Sequence, residues 1–86
     1  MPLKPTRLPA DEERFEVRFL MRDGAAEVEC FVDEAAIEDV DDGDEDPLVE
    51  RFGRHRAAFE AIASWLYDEG EIPRVELHHL AQFRER

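Results

Sequence analysis
Between Pro47 and Gly70 the chain carries apolar residues spaced for one side of a helix, and no other stretch constrains the fold as tightly. Leu48, Phe52, Phe59, Ile62 and Leu66 recur at steps of three or four apart from one gap, which His55 fills. Asp46 before Pro47 reads as an N-cap acid followed by proline at the first helical position, where a missing N–H costs nothing. Gly70 is free to take the left-handed conformation that ends helices. Glu50 with Arg54, and Arg56 with Glu60, place opposite charges four residues apart on the solvated side. Val49, Ala58, Ala61, Ala63 and Trp65 widen the stripe. One helix cannot bury that much apolar surface alone, so the flanking segments must supply an opposing layer.

That layer is expected from Arg14 to Val32, which alternates as a β-hairpin. Asp23-Gly24 is a favoured two-residue type I′ turn. Placing it at the tip pairs Arg22 with Ala25, Met21 with Ala26, Phe19 with Val28, Val17 with Cys30 and Phe15 with Val32. Those outer pairs are all apolar and share one side of the ribbon. The other side holds Arg18 opposite Glu29. Leu20 and Phe31 lie on that otherwise polar side, which points to cover from the N-terminal arm or from a second copy.

The remaining segments are shorter. Residues 1–10 carry Pro2, Pro5 and Pro9, which forbid a helix and favour an extended arm; a PxxP ligand at Pro2 to Pro5 is a weak reading. Asp33 caps a short, fraying helix to Val40. From Glu38 to Asp46 every residue is acidic except Val40 and Gly43, a run expected to repel itself and stay mobile. Arg74 to His79 alternates as a third strand, and Leu80 to Arg86 adds a final turn. The expected architecture is α+β: two layers in the order β-β-α-α-β, with a three-stranded antiparallel sheet (order 2-1-3) on one long helix. Residues 1–86 are expected to form a single domain.

The string Val28-Glu29-Cys30-Phe31-Val32-Asp33-Glu34-Ala35-Ala36-Ile37-Glu38-Asp39 resembles the second strand and capped helix of a small bacterial family catalogued as domain of unknown function 1488. His55-Arg56-Ala57-Ala58-Phe59-Glu60-Ala61-Ile62-Ala63, followed by Glu69-Gly70-Glu71, is similar to its long helix and exit. The resemblance spans roughly Phe15 to Leu80 and implies the same β-β-α-α-β order. His55-Arg56 replaces an Asn-Arg of the family pattern, and Leu77-His78-His79 replaces Leu-Thr-Ser. Membership implies a fold and leaves function open.

Composition excludes more than it assigns. A formal charge of −12 opposes direct binding to nucleic acid or an anionic membrane. No apolar run reaches the length of a membrane span, and the N-terminus lacks the apolar core of a signal peptide. The single cysteine, Cys30, has no internal partner and faces inward, so a cytoplasmic protein with a small buried thiol is expected. The acidic run fails as an EF-hand loop in both registers. Starting at Asp39 puts Gly43 fifth and Pro47 ninth, and starting at Glu38 puts Val40 and Val49 at ligand positions. His78 and His79, adjacent on a strand, would point to opposite sides; His55 with His79 stays open as a metal pair beside the plainer reading of core-edge histidines. Ser64 lacks a nucleophile motif, and no glycine-rich phosphate loop is present. No enzyme and no cofactor are expected.

Trp65 and Tyr67 near the helix end read either as interface anchors or as a core-closing ring and a surface ring. The leading reading is a non-catalytic interaction module. It would use Leu20, Phe31, Trp65 and Tyr67 toward a basic protein or a second copy. The alternatives are a metal or small-ligand sensor and an acidic nucleic-acid mimic.

Overall fold
The computed structural model describes residues 3–43 and 45–86. Strands β1 (Lys4–Pro5), β2 (Asp11–Glu13), β3 (Glu16–Asp23) and β4 (Ala26–Asp33) come first. Helices α1 (Glu34–Val40), α2 (Leu48–Arg54) and α3 (Arg56–Asp68) follow, then β5 (Arg74–Val75) and α4 (Leu77–Glu85). The fold is α+β, but the sheet has five strands and is mixed. β1 and β2 both pair with β3, β3 pairs with β4, and β5 runs parallel to β4.

The expected order 2-1-3 is therefore wrong, and the reason is occupancy. The proline arm lies along the free edge of β3, where Lys4 pairs with Arg22 and Asp11 with Arg18. The chain leaving α3 finds only the β4 edge open, and the crossover makes that pairing parallel. The last strand is also shorter than expected. It ends at Val75, and Glu76 starts α4 with a reciprocal cap: the Glu76 side chain accepts from the His79 N–H, and the His79 ring accepts from the Glu76 N–H. His78 and His79 thus sit on a helix.

The hairpin forms with its register moved by two. Asp23 pairs with Ala26, Met21 with Val28, Phe19 with Cys30 and Val17 with Val32. Gly24 and Ala25 make the turn, with Gly24 at φ +62° in the first central position, where a type II′ turn wants glycine. A shift of two keeps every side chain on its expected side of the sheet, whereas a shift of one would invert them. Val17, Phe19, Met21, Cys30 and Val32 are all buried. Phe15 is the casualty: it leaves the ladder for the β2–β3 turn, at φ 65° and 63% exposed.

The long helix is two helices. His55 breaks it, at φ −123° and ψ 20°; its N–H still bonds the Phe52 carbonyl while its own carbonyl starts α3 by accepting from Ala58 and Phe59. Pro47, rather than Asp46, occupies the N-cap position of α2, and the Glu12 carboxylate on β2 accepts from the Val49 N–H at 3.0 Å. Leu48, Phe52, Phe59, Ile62 and Leu66 all lie in the core with the inner sheet residues. The Phe19 and Phe52 rings meet at 4.9 Å, and Phe52 stacks on Phe59 at 5.8 Å. The layered packing of ribbon on helix stripe is thus present, in two helical pieces.

Candidate interaction surface
Pairing geometry decides which residues share the outer side of the sheet. Directly opposite residues point the same way, so Glu16 with Asp33, Arg18 with Phe31, Leu20 with Glu29 and Arg22 with Glu27 all face away from the core. Leu20 and Phe31 are half-buried and belong to neither the core cluster nor its margin. The arm expected to cover Leu20 reaches its backbone: the Thr6 hydroxyl donates to the Leu20 carbonyl at 2.9 Å.

Two arginines organise the charges on this side. Arg18 donates to Glu29 and Asp11 at 2.9 and 3.0 Å and lies 3.8 Å from Glu13. The expected Arg18–Glu29 pair is formed, but diagonally, since the register places Phe31 opposite Arg18. These carboxylates raise the Arg18 pKa, the Glu29 hydrogen bond most and the Asp11 bond next. Arg74 lies opposite Phe31 on β5, its guanidinium 4.5 Å from the ring centroid, and it pairs with Glu16 and Asp33. Lys4, Arg22 and Glu27 stand in line at the far end.

The acidic run holds the second constellation, built around one acid that is buried instead of solvated. Asp41 is buried, and its carboxylate accepts from the Gly43 N–H at 2.8 Å, from Arg54 at 3.0 Å, and meets Nε2 of His55 at 2.8 Å. Buried Arg51 donates to the Asp41 carbonyl at 2.7 Å, and Arg54 also pairs with Asp46. The Gly43 hydrogen bond, helped by His55 and Arg54 against the opposing effect of burial, holds the Asp41 carboxyl down at about 2. A β-carbon at Gly43 would stand 2.7 Å from Nη1 of Arg54, the far end of a flexible side chain, so a substitution there would displace that guanidinium. The sequence carried a signal for this cluster: Arg51, Arg54 and His55 at steps of three and one share a helix side opposite the acids. Asp44 lies outside the described residues.

The two histidines of the expected metal pair each have another partner. His55 engages Asp41, and Nδ1 of His79 accepts from Glu76 at 2.9 Å. Burial, then the neighbouring His78, lowers the His79 pKa. Among the described residues no group of three or more His, Cys, Asp or Glu side chains has metal-holding geometry. Cys30 is fully buried, and desolvation, then the Glu60 charge, pushes its thiol up to about 12. Trp65 is half-buried and meets Phe83 edge-on at 5.7 Å, and the Tyr67 hydroxyl donates to Asp23 at 2.6 Å. Both lie at the margin of the core, on the helical side of the sheet, away from Leu20 and Phe31. Trp65 also lines an open groove of about 480 Å³ with Leu3, Met21, Ser64 and Phe83.

The sequence pattern of the family described as protein of unknown function (DUF1488) matches residues 5–78. The chain belongs to that family. No curated protein and no solved structure matches it. The DUF1488 match takes in the hairpin, the Asp41 cluster and β5, and so includes Leu20, Phe31, Arg18 and Arg74; Leu3 and Phe83 of the groove fall outside it. Among the described residues, no helix of this DUF1488 chain is long and apolar enough to cross a membrane.

Proposed function
We propose that this chain is a non-catalytic protein-interaction module that meets its partner through the outer side of its sheet. The observation that carries this reading is the placement of Leu20 and Phe31. Both are apolar, both are only half-buried, and neither contributes to the core. A solvated sheet surface needs no such residues, whereas a docking surface needs an apolar centre inside a polar rim. Arg18 and Arg74 supply that rim, with their carboxylate partners.

Asp41 and Cys30 are unsuited to acid–base chemistry near neutral pH. General acid–base work at neutral pH calls for a group poised near neutrality. Asp41 is held at about 2 and spent on hydrogen bonds, and the buried Cys30 thiol is pushed to about 12. The test is quantitative affinity capture with the full chain against Leu20→Lys, Phe31→Lys and a control, Glu69→Lys, at an exposed position on the helical side. Partners should fall about tenfold or more with the first two and persist with the control, as loss of a central contact does. A captured set that is identical for all three variants overturns the proposal.

A further inference from the structure
We infer that the partner on this surface is a second copy of the chain, stacked sheet to sheet; the inference rests on the reading above. The edges of the sheet are unsuited to joining two copies. One edge is carried by Pro5 and by the acidic strand β2, both unfavourable for strand addition. At the other, the Arg74 N–H is already bonded to the Ile72 carbonyl at 2.7 Å. The open side of the sheet remains.

Its charge favours a copy of itself. The outer side carries four bases (Lys4, Arg18, Arg22, Arg74) against six acids, so it stands at −2 while −10 of the chain's −12 lies elsewhere. A strongly basic partner would gain more almost anywhere else on the molecule. A surface of mixed sign is self-complementary under a two-fold axis, where each contact occurs twice. Arg18 and Arg74 are already paired within their own chain, so covering them orphans no charge. Strands of eight residues span about 26 Å, and stacking two such surfaces buries on the order of 1,000 Å² in all, the low end of specific interfaces.

Salt dependence separates this partner from a basic one. Most of the repelling charge sits on the helical layer and loops of a molecule 19 Å through its thin axis. Salt screens repulsion over about 10 Å at 0.1 M, so self-association strengthens as salt rises, whereas docking of a basic protein weakens.

Sedimentation equilibrium of the full chain, from about 5 μM to 1 mM and at low and high salt, tests it. The wild type should move from monomer to dimer, with dissociation weakened several-fold at high salt, and Leu20→Lys and Phe31→Lys should stay monomeric with an unchanged far-UV spectrum. Concentration-dependent amide shifts in the wild type, needing no variant, should cluster on β3 and β4. A wild type that stays monomeric throughout, a dimer that both variants retain, or shifts confined to the helices would each overturn the second copy. The capture experiment is independent: partners lost with Phe31→Lys while the wild type stays monomeric would leave the interaction module standing without the dimer.

Discussion

Nε2 of His55 lies 2.8 Å from Oδ2 of Asp41, at the joint where one expected helix becomes two. The contact links the middle of the acidic segment to the break between α2 and α3. It orients two helices that each give a phenylalanine to the core, Phe52 from one and Phe59 from the other. A carboxylate in the most acidic stretch of the chain is therefore a structural hub.

That hub has a pH signature. The folded-state value for Asp41, about 2, lies below the ordinary 3.8. A depressed carboxyl contributes stability that is complete above its unfolded value and is lost as pH falls through the folded one. Between about pH 4 and pH 2 the urea midpoint of the wild type should decline on this account. Asp41→Asn should show a lower midpoint at pH 7, a larger loss than Asp46→Asn, and a shallower acid decline. Equal acid slopes in wild type and Asp41→Asn would remove Asp41 from this role.

Phe15 bears the backbone cost of the shifted hairpin. A residue with a β-carbon in the left-handed region costs about 1–2 kcal/mol, while glycine gives back about 0.5–1 kcal/mol through unfolded-chain entropy. Phe15→Gly, at φ 65° and with the ring largely exposed, should therefore stabilise by roughly 0.5–1 kcal/mol and raise Tm by several degrees in calorimetry. Phe15→Ala keeps the β-carbon and should gain nothing. A drop in Tm for Phe15→Gly would show that the ring makes contacts worth more than the strain.

Cys30 should behave as an inert core residue. It is fully buried with its thiol pushed to about 12, so thiolate at pH 8 is scarce. Labelling by an aromatic disulfide reagent should run at least about a thousandfold slower in native buffer than in denaturing urea. Rapid native labelling would contradict the inward orientation of β4.

Local pattern determined the inner surfaces. Val17, Phe19, Met21, Cys30 and Val32 on the sheet, and Phe52, Phe59, Ile62 and Leu66 on the helices, are buried as their periodicities of two and 3.6 require. Leu20 and Phe31 likewise stand on the outer side because strand alternation admits no other place. Tertiary contacts decided the rest. The arm's capture of the β3 edge sent β5 to β4, and nothing within Arg74 to His79 encodes which edge is vacant. The Gly24-Ala25 turn displaced Asp23-Gly24 because both preserve the apolar side, leaving the turn and the β2 junction at Phe15 to choose. Asp41 became buried because Arg51, Arg54 and His55 arrive from a neighbouring helix, and a run of like charges reads as solvated until those cations are set against it in space. Periodicity is a property of neighbours along the chain; edge choice and charge pairing are properties of neighbours across it.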